Sequence, residues 1–254
     1  MKKSYSVPLK LVFLSITLGF YAQLALGNSE KVIAATDGTK VTVVELYSSE
    51  SCSSCPPADQ WISKLKSHKD LWKKFVPLVF HVDYWNHLNW KDGFSSQKMT
   101  ERQVAVSKTW DRPSVYTPAV VLSGREFKAW HYSKNESQFT ENLKSDLGLK
   151  ILEKNKGEYL IQVKGQTKGK KYNIHLAKLG FDVSSKISNG ENSGRVLRHD
   201  FIVLEWKQQD FTDKSQSESF IFLNKEKSST QFAIVAWIEE VGRPVALQAV
   251  GAYL

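Results

Sequence analysis

The sequence predicts an α/β domain at residues 38–149 followed by a small all-β, sandwich-like domain at residues 150–254. Two apolar runs, at residues 41–47 and 76–82, have no clean polar face and therefore predict buried strands. Apolar residues at helical spacing lie between these runs, which favours a βαβ unit with parallel strands. After residue 150, short β-like runs alternate with turn signals, a pattern typical of a β-sandwich.

The first helix is expected beside the two cysteines of the sequence, Cys52 and Cys55. Pro56 and Pro57 follow them, and prolines are tolerated in the first turn of a helix because the amides there lack partners anyway. Asp59 is an acid in the same turn, where the helix dipole favours it. The cysteines are therefore expected at a strand-to-helix junction.

A thiolate at such a junction feels the partial positive charge of the unpaired amides, which lowers the thiol pKa below about 8.5. Cys52 is the predicted attacking thiol at the tip of the helix, and Cys55 is the predicted resolving thiol one turn further in. A metal-binding pair and a plain stabilising disulfide are the alternatives. The C-x-x-C spacing in a βα context favours the redox interpretation, since so short a disulfide loop gains little from chain entropy.

The N-terminus has the pattern of a secretory signal peptide over residues 1–27. Three lysines lie in the first ten residues, residues 11–20 are apolar, and residues 25–27 have the small-x-small form of a cleavage site. We therefore expect an exported chain that does not span a membrane after cleavage, and whose two cysteines are joined. The net charge of +9 is spread through the sequence, which does not indicate nucleic-acid binding.

Two further elements complete the central part of the predicted α/β domain. Residues 83–94 form an aromatic and polar loop after the second strand, at the edge of an α/β sheet where sites collect. Residues 95–110 then predict a helix, with Ser96 as its N-cap.

The end of the predicted α/β domain is a hairpin and a helix. An apolar strand at residues 119–122 follows Thr117 and Pro118, a return strand is expected at residues 127–132, and residues 137–147 have the spacing of a closing helix. The expected order is therefore βαβ, a second helix, and then ββα.

This order, with a C-x-x-C at the first strand-to-helix junction and a Thr-Pro before the hairpin, resembles the thioredoxin fold. The resemblance implies that Pro118 is cis and faces the disulfide, with Thr117 beside it, so that both residues form a floor for the substrate. It also implies a buried acid that relays protons to the cysteines, for which Glu45 is the candidate. Apart from the resemblance, His81 or His87 could take a proton from Cys55 if the aromatic loop folds over the cysteines.

A closer resemblance rests on four stretches: residues 45–59, 81–92, 101–103 and 116–118. They are similar to a family of secreted bacterial proteins with a thioredoxin-like domain, known as domain of unknown function 1223. The resemblance implies a periplasmic location and names no reaction.

The aromatic loop supplies further candidates. Trp85 and Trp90 are interpreted either as a rim that selects the partner thiol or peptide, or as packing residues that hold the loop rigid. His81 and His87 together with Cys52 and Cys55 form an alternative site for copper or zinc, because thiolate and imidazole suit these ions.

The polar stretch at residues 189–200 is interpreted as structural. Taken together, the sequence predicts a secreted thiol-disulfide oxidoreductase that acts on exported protein or small thiols, or with a redox partner protein. It needs no cofactor besides its redox-active disulfide. A metal-binding or metal-delivery protein and a non-catalytic binding module are the alternatives.

Overall fold

The computed structural model describes residues 1, 30–111, 113–132, 136–139, 141–165, 169–211, 217–222 and 231–254. Apart from Met1, the expected signal peptide at residues 1–27 lies outside the described residues. These residues include two α-helices, α1 (Pro56–Lys64) and α2 (Gln97–Ser107), and 3-10 helices at Leu65–Ser67, Lys128–His131 and Glu136–Phe139.

The part of the chain that the structure describes contains fourteen strands: β1 (Lys31–Ala35), β2 (Thr42–Ser48), β3 (Phe75–His81), β4 (Ala119–Leu122), β5 (Arg125–Glu126), β6 (Gly148–Asn155), β7 (Glu158–Lys164), β8 (Tyr172–Phe181), β9 (Val183–Lys186), β10 (Val196–His199), β11 (Ile202–Phe211), β12 (Ser217–Ile221), β13 (Gln231–Glu240) and β14 (Arg243–Tyr253). Within the described residues, no helix is long and apolar enough to cross a membrane.

The two helices follow the local signals of the sequence. Pro56 and Pro57 occupy the first turn of α1, where their missing amide protons leave no helical hydrogen bond unmade. Ser96 caps α2, because its side chain accepts the amide proton of Met99. The predicted N-cap is therefore confirmed.

One eight-stranded mixed sheet runs through most of the molecule, in the order β14-β13-β8-β11-β3-β2-β4-β5. β2 and β3 are parallel, as the βαβ pattern predicts, from the pair Thr42 and Phe75 to the pair Ser48 and His81. β11 joins the other side of β3, parallel to it, at the pair Ile202 and Val79. Strands from before and after residue 150 are thus neighbours in one sheet.

The expected fold class, an α/β thioredoxin-like domain followed by a small sandwich, is wrong. The described residues are mostly β, with two α-helices, and the large sheet joins both predicted parts. The reason lies in β3, which is buried along its whole length and needs a hydrogen-bonded strand on each side. Its second neighbour, β11, comes more than 100 residues later, and a local pattern cannot show this pairing.

A second sheet, in the order β1-β6-β7-β12, is antiparallel. Its apolar face packs on the large sheet through a core that includes Ile151, Ile161, Ile174 and Ile234. The two sheets are not the small separate sandwich expected after residue 150, because the large sheet also carries the cysteine motif. β1, from the start of the described chain, completes the other sheet.

The expected ββα ending of the α/β domain is also wrong. β4 pairs with a two-residue β5, and the expected return strand at residues 127–132 contains a 3-10 helix instead. In place of the closing helix, residues 136–139 form a 3-10 helix and Lys144 bridges to Thr39. The apolar spacing there reflects Phe139, a buried ring 5.0 Å from that of Phe75.

Candidate functional site

The cysteine loop, residues 49–55, connects the end of β2 to the start of α1. Cys52 and Cys55 form a disulfide, and Cys55 caps the helix, because its carbonyl accepts the amide protons of Ala58 (2.9 Å) and Asp59 (3.2 Å). The two serines between the cysteines are exposed. Only 3% of Cys52 and 0% of Cys55 are exposed, so the disulfide lies just beneath an exposed spacer.

Glu50 holds the start of this loop from inside. Its Oε2 accepts the indole N–H of Trp90 (2.8 Å), its Oε1 lies 3.2 Å from His199 Nε2, and its amide donates to Asp92 Oδ2 (2.8 Å). Burial alone would raise the pKa of Glu50, but hydrogen bonds from His199, Ser185 and Trp90 lower it. A buried carboxylate thus lies two residues before the first cysteine.

A covering loop, residues 188–194, packs over the cysteine loop. Asn192 is fully buried, and its Nδ2 donates to the carbonyl oxygens of Glu50 (2.9 Å) and Cys52 (3.0 Å). The interpretation of this stretch as merely structural missed its position, since it holds the backbone on which the cysteines lie.

Two further contacts fix the covering loop. Glu191 Oε2 accepts the amide proton of Ser53 (2.9 Å), at the exposed spacer between the cysteines. Gly190 has a φ of +76°, and a Cβ added to it would lie 2.7 Å from the carbonyl oxygen of Leu88. Glycine is therefore required where the covering loop crosses the aromatic loop.

His81, the last residue of β3, is fully buried. Its Nδ1 lies 2.7 Å from Asp92 Oδ2. Burial alone would lower the pKa of His81, but the charge and hydrogen bond of Asp92, with smaller effects of Asp59 and Glu50, raise it to about 9. Burial opposes the ionisation of Asp92, yet the charge of His81 lowers the pKa of that carboxyl.

Asp59, His81 and His199 converge from α1, β3 and β10, and their candidate ligand atoms all lie within 4.8 Å of one another. Asp59 Oδ1, His81 Nε2 and His199 Nδ1 are buried and have no hydrogen-bond partner among the described residues. Ser48 Oγ donates to the other oxygen of Asp59 (3.1 Å). Burial raises the pKa of Asp59, although both histidines oppose this. Two imidazoles and one carboxylate could hold a divalent metal ion.

The predicted substrate floor lies at the same sheet edge. The Thr117–Pro118 peptide bond is cis, as the resemblance implies. Ala119 pairs with Tyr47 in the sheet, which places Pro118 beside the end of β2, where the cysteine loop begins. Trp85 Nε1 donates to Thr117 Oγ1 (2.8 Å). The role of these residues in binding stays a prediction.

Glu45, the predicted proton relay, is not brought to the cysteines. Side chains alternate between the two faces of a strand, and Glu45 points to the face opposite Ser48, whose hydroxyl contacts α1. There, Arg102 donates to both carboxylate oxygens of Glu45 (2.8 and 2.9 Å) and to Glu239 Oε1 (2.7 Å). Asp59, which contacts Ser48, is a buried acid on the cysteine side of the sheet.

The alternative metal set of Cys52, Cys55, His81 and His87 is also not brought together. The two cysteines are bonded to each other. His87 is exposed, and its Nδ1 lies 2.8 Å from the carbonyl oxygen of Tyr84. Of this set, His81 alone belongs to the buried cluster.

Sequence reasoning missed five residues of the site: Glu50, Asp59, Asp92, Asn192 and His199. Asp59 is expected only in the first turn of the helix, where the dipole favours it. A local signal exists for Glu50 and Asp59, because both are acids within four residues of a cysteine. Asn192 and His199 carry no such signal, since only the fold brings them to the cysteine loop.

The family model for proteins of unknown function numbered 1223 (DUF1223) matches residues 43–239. No curated protein matches the sequence. A crystal structure of a protein from Agrobacterium tumefaciens is similar, with 23% identity, a TM-score of 0.57, and coverage of 83% of this chain and 92% of that chain. HBP35 of Porphyromonas gingivalis is similar with 14% identity, a TM-score of 0.58, and coverage of 86% and 76%.

At these identities, the two structures show a shared fold and nothing about activity. The family match is stronger evidence, because it extends from β2 to β13 and includes the cysteine loop, the aromatic loop and the covering loop. This protein therefore belongs to the DUF1223 family.

Proposed function

We propose that this protein is a thiol-disulfide oxidoreductase whose redox centre is the Cys52–Cys55 pair. The observation that carries the proposal is the position of the disulfide, which closes across an exposed two-residue spacer at the N-terminus of α1. Unpaired amides at a helix N-terminus stabilise a thiolate. Ser54 Oγ lies 3.3 Å from Cys52 Sγ and is a further hydrogen-bond donor for that thiolate.

The reaction consists of two exchange steps. In the reduced protein, the Cys52 thiolate attacks one sulfur of a substrate disulfide, which forms a mixed disulfide and releases the other substrate sulfur as a thiolate that takes up a proton. Cys55 then loses its proton and attacks the Cys52 sulfur, which restores the internal disulfide and releases the second substrate thiolate. Two electrons pass from the protein to the substrate, and the reverse sequence oxidises a substrate dithiol.

Cys52 is the attacking residue because it is the less buried of the two cysteines and adjoins the exposed spacer. Cys55 is fully buried at the helix cap, so a substrate reaches it only through Cys52. Thr117 and Pro118 offer a surface for the substrate beside the end of β2. The signal pattern of residues 1–27 supports exported protein or small thiols as substrates in an oxidising compartment.

The reduction potential of the pair tests the proposal. The purified metal-free protein is equilibrated with glutathione buffers, and the free thiols are counted. We expect a potential between about −120 and −270 mV, the range of proteins that exchange disulfides. A potential below about −300 mV is that of a structural disulfide and would contradict the proposal.

Trapping of the mixed-disulfide intermediate distinguishes the roles of the two cysteines. Cys55→Ser lacks the resolving thiol and is expected to accumulate a mixed disulfide with a model disulfide peptide. The matched variant Cys52→Ser is expected to accumulate little, because its remaining thiol is buried. Equal trapping by both variants would contradict the assigned order of attack.

A further inference from the structure

We propose that Asp59, His81 and His199 bind a divalent transition-metal ion of the zinc or iron(II) type. The proposal is independent of the redox function, because neither cysteine belongs to the ligand set. It is carried by the closeness of the three residues, whose candidate ligand atoms all lie within 4.8 Å of one another. Each residue also has a buried atom without a hydrogen-bond partner among the described residues: Asp59 Oδ1, His81 Nε2 and His199 Nδ1.

Unpartnered buried polar atoms are rare, because each one loses its hydrogen bonds to water without a replacement. Here, three of them come from three separate elements and meet in one place. The residues are 7%, 0% and 2% exposed for Asp59, His81 and His199, respectively. A single bound ion would supply a partner for all three atoms.

The outer contacts of the two imidazoles are those of metal-binding histidines. His81 contacts Asp92 through Nδ1, and His199 contacts Glu50 through Nε2. A carboxylate on one ring nitrogen fixes the ring orientation and makes the other nitrogen a better ligand. In both rings, the nitrogen that is not on a carboxylate has no hydrogen-bond partner among the described residues, and the two ring planes cross at 87° with their centroids 4.9 Å apart.

The charges around the cluster also favour a cation. Asp59, Asp92 and Glu50 are three buried acids next to two imidazoles. Burial of like charges is costly unless an opposite charge compensates for them. A divalent ion supplies that charge at the centre of the cluster. Asp59 binds it directly, whereas Asp92 and Glu50 act through His81 and His199.

The donor set selects the class of metal. Two imidazole nitrogens and one carboxylate oxygen suit zinc or iron(II), whereas calcium and magnesium prefer oxygen ligands alone. Ligand bonds of about 2.1 Å in a tetrahedral site place the donor atoms about 3.4 Å apart. The candidate ligand atoms, all within 4.8 Å of one another, therefore have to move closer together by at most about 1.4 Å on binding. Three protein ligands leave the fourth position open to water or to a small ligand.

Metal retention by the full mature chain, without an affinity tag, tests the proposal. The disulfide is kept oxidised, so that neither sulfur can act as a thiolate ligand. The protein is stripped with a chelator, incubated with Zn²⁺ or Co²⁺ and desalted, and the bound metal is measured. We expect about one equivalent of retained metal, and a Co²⁺ absorption spectrum without a thiolate charge-transfer band.

Variants locate the site. Asp59→Asn and His199→Gln are expected to lose the retained metal, and Asp92→Asn is expected to weaken binding by about 10- to 100-fold through its histidine. The matched control His87→Gln, an exposed imidazole, is expected to retain the metal. Retention by Asp59→Asn or His199→Gln at the wild-type level would overturn the assignment.

The wild-type protein provides a readout that does not depend on folded variants. A ligand that binds only the native state stabilises it by mass action. We therefore expect Zn²⁺ to raise the Tm of the oxidised, chelator-stripped wild-type chain, with no effect of Ca²⁺ at the same concentration. A wild-type chain that retains no Zn²⁺ or Co²⁺ and shows no shift in Tm would refute the site.

Discussion

Arg102 places a guanidinium group inside the protein, between carboxylates from two strands. It lies on α2, while Glu45 belongs to β2 and Glu239 to β13. The group lies over the ring of Trp237, 5.2 Å from its centroid. Through these ion pairs, Arg102 links α2 to β2 and β13 on the face of the sheet opposite α1.

Arg102→Met is expected to destabilise the protein by about 3–5 kcal/mol, because it leaves two buried carboxylates without their counter-ion. The free energy of unfolding in urea measures the effect. Lys108→Met changes an exposed cation at the end of the same helix and should alter the stability by less than about 0.5 kcal/mol. Equal effects of both substitutions would show that the buried ion pairs contribute nothing specific.

His175 lies beside Glu239, one of the two carboxylates that pair with Arg102, and its imidazole is held neutral. Trp206 Nε1 donates to its Nδ1 (3.2 Å), so the proton of the neutral ring lies on Nε2, which is 3.3 Å from Glu239 Oε2. Burial lowers the pKa of His175 below its ordinary value of 6.5; Glu239 and Glu45 oppose this shift, whereas Arg102 adds to it.

The consequence is a loss of stability on mild acidification. Below about pH 6.5, the unfolded chain takes up a proton at residue 175 that the native state does not bind, so the free energy of unfolding falls as the pH falls. His175→Gln removes this contribution. We expect the drop in stability from about pH 7.5 to about pH 5.5 to be smaller in the variant. Identical pH slopes in the two proteins would exclude this role.

At the level of elements, the covering loop packs over the cysteine loop. Gly190 and Gly194 both have positive φ values, of +76° and +81°. A Cβ at Gly190 would lie 2.7 Å from the Leu88 carbonyl oxygen, whereas a Cβ at Gly194 meets no atom within 4 Å. The two glycines therefore share the cost of a left-handed alanine, about 1–2 kcal/mol, but only one adds a steric clash.

Gly190→Ala is expected to be less stable than Gly194→Ala by a further 1–3 kcal/mol or so, because the covering loop has to shift away from Leu88. The same shift exposes the cysteine loop. Alkylation of Cys52 in the reduced protein should therefore be faster in Gly190→Ala than in Gly194→Ala. Equal rates would mean that the covering loop does not limit access.

The elements that the sequence predicts well are those with complete local signals. β2 and β3 are mostly apolar and buried, and α1 and α2 have Pro56 and Ser96 at their starts. The closing helix expected at residues 137–147 also has N-cap residue types near its start, Asn135 and Ser137. It fails as a prediction because one buried side chain, Phe139, accounts for part of its apolar spacing.

The candidate site also has a part that local signals predict and a part that they do not. The cysteines and α1 are neighbours in the sequence, so the sequence predicts their placement. Asn192 and His199 reach the cysteine loop from more than 130 residues away, through a polar turn whose composition says nothing about the surface it packs against. Which polar residues are buried depends on the tertiary fold, so the sequence alone does not predict the cluster of Asp59, His81 and His199.

For the whole molecule, the decisive feature is the shared core. One apolar cluster contains residues of both predicted parts, including Phe75 and Val79 from the first and Phe181 and Phe201 from the second. The ring of Phe201 lies 6.0 Å from that of Trp72 and 4.9 Å from that of Phe181. Its carbonyl oxygen accepts the amide proton of Val79 (2.9 Å), at the edge where β11 joins β3.

The two predicted parts are therefore expected to unfold together. Six of the eight tryptophans precede residue 150, while most strands follow it, so tryptophan fluorescence and far-UV circular dichroism report mainly on different parts. Phe201→Ala should lower the free energy of unfolding by about 3–5 kcal/mol, because it opens a cavity in the core that the two predicted parts share. The urea transitions followed by fluorescence and by circular dichroism should therefore shift equally. The exposed Val196→Ala should leave both transitions unchanged. A shift of the circular dichroism transition alone would show that residues 38–149 are stable without the strands that complete their sheet.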